Sequence, residues 1–216
     1  MSVSSRPLAS VRHRERMTDD RAQLDALLAA TTLAHLAYVD DEGRPCVIPV
    51  SIARWDDRVV LHGSSGSRWL RTVADGRPVA ISVAELTGVV VGHRANQTGV
   101  HGRSAVLYGH LTDVTADEKP TALNVLLDRH LPGRSTEVAP PTKKELAATR
   151  VLALPLDQWS CRVLDDNPKP PGDDADATVW SGVVTITPRT ATAEPSSTNQ
   201  AEVPPSVARL ATSFDV

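Results

Sequence analysis

Between Leu61 and Leu70 the chain reads His62-Gly63-Ser64-Ser65-Gly66-Ser67-Arg68, a run of small residues closed by a permanent cation. Three chemistries suit such a run. A nucleophile elbow needs Gly-x-Ser-x-Gly over five positions between a parallel strand and a helix, and Gly63 to Gly66 spans only four. A metal site would have to draw on His93, His101 and His110. The last two stand nine positions apart, an odd spacing that sends side chains to opposite faces of one strand, and no Cys or carboxylate cluster completes a set. The third chemistry is anion binding. Small residues expose backbone N–H groups, a helix starting at Ser67 has unpaired donors, and Arg68 offers a planar fork that matches a phosphate. Arg71, one turn on, adds to the field. A plain Gly/Ser linker has the same composition, so the run alone leaves both readings open, and haem stays open beside them.

The elements around the run say what would hold it. Thr18-Asp19-Asp20 ahead of Leu24, Leu27 and Leu28 predicts a helix ending near Ala30, with one apolar face. Two β segments follow, Leu33 to Val39 and Pro45 to Ala53, joined by a Gly-containing hairpin turn. Trp55 to Arg58 then leads into Val59 to His62, which makes a three-stranded meander. Ser67 caps a short helix through Ala74, closed by Asp75-Gly76. Further strands are expected at Pro78 to Ala84, Gly88 to His93 and Arg103 to Val114, the last two separated by a long polar loop from Arg94 to Gly102. Helices are expected at Asp117 to Leu131 and Thr142 to Thr149, and final strands at Arg150 to Pro155 and Gln158 to Leu164. The segment after Leu164 is too polar and Pro-rich to pack, and Trp180 then marks an apolar island that needs a docking surface.

Short antiparallel strands with a few helices, and no βαβ alternation or G-x-G-x-x-G, predict an α+β fold that is mainly β, a small closed or split barrel rather than a Rossmann domain. Residues 1–16 and 188–216 read as disordered tails around one domain, residues 17–187. Hydrophobic residues make up 41% of the chain and aromatics only 3%, so the core must be aliphatic. The net charge of -3 with scattered Lys and Arg shows no nucleic-acid footprint. The first thirty residues hold no long apolar stretch, and no run reaches membrane-spanning length. The expected setting is the cytoplasm, with no membrane partner and with Cys46 and Cys161 reduced.

The order of motifs, Pro45-x-Val47-Ile48-Pro49-Val50, then His62-Gly63-Ser64-x-x-Ser67-Arg68, then Arg103-Ser104 opening a strand, then Pro140 to Thr149, then Val179-Trp180-x-Gly182-Val183, resembles the pyridoxamine 5'-phosphate oxidase-like family of FMN-binding split β-barrels. It is similar in particular to the flavin-nucleotide-binding branch, to which nitroimidazole-resistance proteins are related. The likeness runs from about residue 12 to residue 187. It implies a six-stranded antiparallel split barrel and a homodimer with two FMN sites at the subunit interface. By this resemblance the FMN phosphate lies on Ser67 and Arg68, with His62, Gly63 and Ser64 near the ribityl chain. Val47, Ile48, Pro49, Val50 and Ser51 run beside the isoalloxazine, Arg103 and Ser104 lie on a flavin-contacting strand, and Trp180 closes the site. An oxidoreductase acting on a small molecule is implied, with no metal. A deazaflavin- or haem-binding barrel and a cofactor-free regulatory barrel are the alternatives. Two departures stand out. Trp69 occupies the position where vitamin B6 oxidases carry a second basic residue, and Gln97 to Gly102 lacks the paired histidines and the tyrosine common in the branch.

Overall fold

A computed structural model of the chain describes residues 13–166, 178–187, 193 and 202–212. After the two-residue strand β1 (Met17–Thr18), helix α1 (Arg21–Ala30) starts where Asp20 accepts a hydrogen bond from the Ala22 amide. Its leucines at 24, 27 and 28 are buried in the main core. The hairpin β2 (Leu33–Val39) and β3 (Pro45–Ser51) pairs in unbroken register from Leu33 opposite Ser51 to Val39 opposite Pro45. Its turn carries Gly43 at φ 78°, a left-handed conformation that glycine adopts at no steric cost.

The expected strand through Ala53 is broken at Ile52, and β4 (Ala53–Trp55) belongs to a second sheet. Strand β5 (Arg58–Ser64) runs two residues past its expected end, because Gly63 and Ser64 pair with Arg150 and Thr149 of β9 (Thr149–Pro155). Helix α2 (Arg68–Val73) follows directly.

The segments expected as two strands, Pro78 to Ala84 and Gly88 to His93, form one strand, β6 (Pro78–Val91). The Thr87-Gly88 stretch that looks like a turn is a bulge, where the register against β7 (Gly99–His110) shifts between Leu86 and Gly88. The bulge frees the Thr87 carbonyl to accept from the Ile186 amide at 2.9 Å. Strand β11 (Gly182–Thr185) thereby lies along the far end of β6. The expected loop from Arg94 is a single 3-10 turn, Ala95–Gln97, with β7 resuming at Gly99.

A short β8 (Thr112–Asp113), helix α3 (Lys119–His130), helix α4 (Lys143–Ala148), β9 and β10 (Gln158–Leu164) complete the body. Thr142 and Glu145 form a reciprocal capping box at the start of α4. The larger sheet has the order β1-β10-β7-β6-β2-β3 with β11 added beside β6, and the smaller has β4-β5-β9-β8. The barrel is thus split between two sheets, and the described residues hold eleven strands rather than the six expected, four of them short (β1, β4, β8 and β11). The main core lies between the sheets, and a second apolar cluster, including Val60, Leu126 and Val151, sits under α3.

Residues 205–212 do not form a disordered tail. Helix α5 (Pro205–Thr212) docks by its buried Ser206, whose amide and hydroxyl both donate to the Glu137 carboxylate, the amide at 2.9 Å, and by Arg209, which donates to the Pro132 carbonyl at 2.8 Å. A composition of Pro, Ser and Ala hides this, since the docking partners lie 69 and 77 residues upstream.

Candidate functional site

The run that opened the question is a strand end and a tight turn. The Ser65 amide donates to the Ala148 carbonyl at 2.8 Å, the Gly66 amide to the Ser64 hydroxyl and the Ser67 amide to the Ser64 carbonyl. Ser67 stands at the N-cap of α2, but its hydroxyl makes no capping bond there, so it is available to another acceptor or donor. Helix α2 has only six residues and its dipole is correspondingly weak, which leaves Arg68 as the main local charge. The Arg68 side chain is 78% exposed and, among the described residues, its ion pair is with Glu42, at 3.8 Å. Trp69 is different: it packs partly buried against the core and lies over Gly63, where an added Cβ would sit 3.6 Å from its ring. The residue standing where the resemblance places a second base in vitamin B6 oxidases is therefore a packing residue.

Arg68 faces the β2–β3 hairpin. Burial pushes the Tyr38 phenol up, and its hydrogen bond with Cys46 adds to this, while the nearby Arg68 charge pulls the other way. The hairpin is held by Asp40, which accepts from the amides of Glu42 and Arg44 and from the Arg44 guanidinium, all within 3.0 Å. Arg77, in the turn after α2, donates to the Val39 carbonyl and to Asp41, so α2 and the hairpin are braced together.

Strand β3 is the outer strand of its sheet, and the side on which its free backbone groups lie can be worked out. At one end the Arg44 carbonyl accepts from the Asp40 amide at 3.0 Å, and at the other the Ile52 amide donates to the Thr32 carbonyl at 2.9 Å. Both are even-numbered positions, and the register between them is unbroken. Even positions therefore bond β2, and Pro45, Val47, Pro49 and Ser51 turn their backbone groups to the open edge. The two prolines have no N–H to lose there. Val47 consequently presents a free amide and a free carbonyl side by side, next to the hairpin that faces Arg68. Its side chain is 63% exposed, Pro49 is exposed and Ser51 half-buried, whereas Ile48 packs against the core and Val50 is buried within it.

The remaining expected site residues lie elsewhere. His62 and Ser64 sit on the α3 side of β5, alternating with Gly63, so His62 is not brought beside β3. Burial lowers the His62 pKa, and nearby His130 adds to the effect. Arg103 is engaged by Glu85, its cross-strand neighbour, with Nε 3.1 Å from the carboxylate, and Ser104 is half-buried opposite Ala84. Trp180 is 62% exposed and folds over Gly182. It lies beyond Val91, at the opposite end of β6 from the β2 pairing at Ala80 to Ser82. From 82 to 91 the strand covers roughly 30 Å at about 3.3 Å per residue, so within one chain Trp180 does not cover Arg68 or Val47.

Residues 20–163 match the model of the family described as Pyridoxamine 5'-phosphate oxidase. The chain belongs to that family. Among solved structures, this member is similar to the FAD- and haem-binding protein from Mycobacterium smegmatis, at 38% identity and TM-score 0.86, covering 91% of this chain and 97% of that one. It is similar also to the flavocytochrome Anf3 from Azotobacter vinelandii, at 27% identity and TM-score 0.85, covering 94% and 95%. A structure described as a 5-nitroimidazole antibiotic resistance protein from Bacteroides thetaiotaomicron shares the fold, at 16% identity and TM-score 0.60, over 79% of this chain and 89% of that one. No curated protein matches. Like its relatives in fold, this family member has a mainly antiparallel split barrel, and no helix among its described residues is long and apolar enough to cross a membrane.

The hairpin brace gives a pH prediction. Hydrogen bonds from Arg44 hold the Asp40 carboxyl down to about 2. A depressed carboxyl contributes stability that is present above its unfolded value near 4 and is lost as pH falls towards 2. The Glu42 and Arg44 amides are expected to keep their exchange protection factors down to about pH 4 and to lose protection progressively below it. Asp40→Asn should speed that exchange already at neutral pH. Protection that is indifferent to both would show that Asp40 does not organise the hairpin.

Proposed function

We propose that the chain is a flavin-binding redox protein, working as a homodimer, which takes FMN or its dinucleotide and passes electrons between a donor and a small-molecule substrate. The observation that carries this reading is an unpaired backbone edge at Val47 on the hairpin whose turn residue Glu42 reaches the exposed Arg68 guanidinium, at 3.8 Å. An isoalloxazine has one edge of alternating carbonyl and N–H groups, which a free strand amide and carbonyl complement, and the phosphate of the same molecule matches an arginine fork. The residues thus fit the group. When bound, the flavin supplies the electron-transfer chemistry. The chain's own residues bind and orient it: Ser67 and Arg68 hold the phosphate, and Val47 to Ser51 supply hydrogen bonds and an apolar wall. The solved structures with 38% and 27% identity carry flavin in their names, which supports the same reading.

A second copy supports the site in two ways. The outer face of the larger sheet exposes Leu33, Val39 and Val47, at 57%, 53% and 63%, an apolar stretch that matches a subunit interface better than open water. Trp180, with exposed Val179, Val184 and Ile186 beside it, can close a cofactor site only on a neighbouring chain, given its distance from Arg68. Cys46 and Cys161 are free thiols, in keeping with the cytoplasm.

A haem is the second reading, favoured by His93. Its Nε2 lies 3.0 Å from the Ser181 hydroxyl while its buried Nδ1 has no hydrogen-bond partner among the described residues. An imidazole fixed at one nitrogen and open at the other is the arrangement of a metal ligand.

Absorption spectroscopy with sedimentation tests these readings. The purified protein, as isolated or after adding flavin, should show flavin bands and sediment as a dimer. A Soret band in addition would establish the second reading, and a monomer that binds no flavin would overturn the first.

A further inference from the structure

The hydrogen-bond alternation that leaves Val47 open at one end of the larger sheet can be followed to the other end. Even positions of β3 bond β2, so β2 bonds β6 by its odd positions, β6 bonds β7 by its odd positions, and β7 bonds β10 by its even ones. Trp159 and Cys161 therefore turn their backbone groups away from β7. At Cys161 those groups meet Thr18 of β1, while the neighbouring Met17 spends its amide on the Arg14 carbonyl, as the same alternation requires. Beyond Thr18 the chain leaves the sheet: the Thr18 hydroxyl accepts from the Asp20 amide at 3.1 Å, and Asp20 caps α1. The Trp159 amide and carbonyl are left facing outward, with no strand beside them among the described residues.

That edge lies in an open groove of about 600 Å3, lined among others by Arg14, Thr18, Asp19, Asp157 and Trp159. From Asp157 to Cys161, where β1 closes the edge, β10 covers about 13 Å at about 3.3 Å per residue, which holds an extended segment of roughly three residues. Asp157 stands at one end of this slot and Asp19 at the other, and among the described residues neither carboxylate has an ion pair. Two carboxylates against the one guanidinium of Arg14 leave the groove negative. Trp159 is half-buried and packs against the main core, so it forms a fixed wall whose ring suits a cationic side chain. A second copy pairing antiparallel about Trp159 would set Asp157 of each chain beside Asp19 of the other, and like charges meeting across an edge oppose such pairing. A basic strand meets the opposite field. In the sheet order β10 lies four strands from β3, so this edge is separate from the proposed flavin site.

We propose that the open edge of β10 is a docking site for an extended, basic peptide segment of a partner protein, which adds to the sheet as a short strand between the β9–β10 turn and β1. Its central residue exchanges two backbone hydrogen bonds with Trp159, and the basic side chains on either side of it reach Asp157 and Asp19. The inference does not depend on the flavin reading.

The full-length protein, labelled with heavy nitrogen, is titrated with acetyl-Arg-Val-Arg-amide while the amide resonance of Trp159 is followed by NMR. The resonance should shift saturably, with a Kd in the millimolar range or tighter. N-methylation of the central valine, which removes the donor to the Trp159 carbonyl, should abolish the shift, and so should glutamate in place of both arginines. The double variant Asp19→Asn, Asp157→Asn should bind the arginine peptide about three- to tenfold more weakly, because each exposed charge pair contributes little, and its unchanged spectrum elsewhere is the check that it is folded. No saturable shift at Trp159, equal binding of the N-methylated peptide, or binding indifferent to the two aspartates overturns the proposal. Sedimentation supplies the remaining arm: a larger assembly of the protein that the peptide dissociates would assign the edge to a second copy and overturn it as well.

Discussion

Arg68→Ala is expected to weaken flavin binding by about ten- to a hundredfold, the equivalent of the roughly 1.5–3 kcal/mol carried by a hydrogen-bonded charge pair. Three observations set that range. Arg68 is the dominant charge at the turn, since α2 is too short to contribute much and Trp69 replaces a second base with a packing residue. Among the described residues its ion-pair partner is Glu42, at 3.8 Å, a loose contact that competes weakly. Its 78% exposure argues for the lower half of the range until a bound nucleotide and a second subunit exclude water from the pair. Arg68→Lys keeps the charge and loses the planar fork, so part of the affinity should return. Isothermal titration with FMN measures both variants. An unchanged Kd in Arg68→Ala would remove this residue from the site.

Leu27→Ala is expected to cost about 2–5 kcal/mol of folding stability. Leu27 is fully buried, as is Leu24, and together with Leu28 at 2% exposure they form the face with which α1 joins the main core. The core is shared between two sheets that are not continuous with each other, so a cavity at this helix is not filled by a small shift of one strand. For a domain of this size the loss corresponds to a fall in Tm of roughly 4–20 °C. Urea and thermal unfolding followed by circular dichroism measure it, and a change below about 1 kcal/mol would mean that the core collapses around the missing side chain.

The two predictions separate binding from folding. Arg68 is exposed and outside the core, so its loss should leave the melting temperature of the flavin-free protein in place. Leu27 is not among the residues assigned to the flavin site, so the folded fraction of Leu27→Ala should bind flavin with near wild-type affinity. The Asp40 brace lies between these cases, since it affects the site through the shape of the hairpin.

Local sequence was sufficient wherever a local interaction decides the structure. The first helix follows from Asp20 and three leucines in helical spacing, the β2–β3 hairpin from a turn with Gly43, and α4 from the Thr142–Glu145 box. The motif order from Pro45 to Gly182 identified the family, and the matched residues 20–163 support it. Distant pairing was not legible. The bulge at Thr87 reads as a turn until the Ile186 amide is seen on its carbonyl, and α5 reads as a tail until Glu137 is seen under Ser206.

The sequence by itself determined the composition of the Gly/Ser turn before Arg68, the aliphatic core and the alternation of its strands. Only the tertiary structure decided which backbone groups of β3 face open solvent, because that depends on the side from which β2 pairs. It also decided that His62 looks towards α3 and that the buried Nε of Arg129 has no hydrogen-bond partner among the described residues. Charge compensation is a property of neighbours in space, and neither residue has its decisive neighbour nearby in the chain.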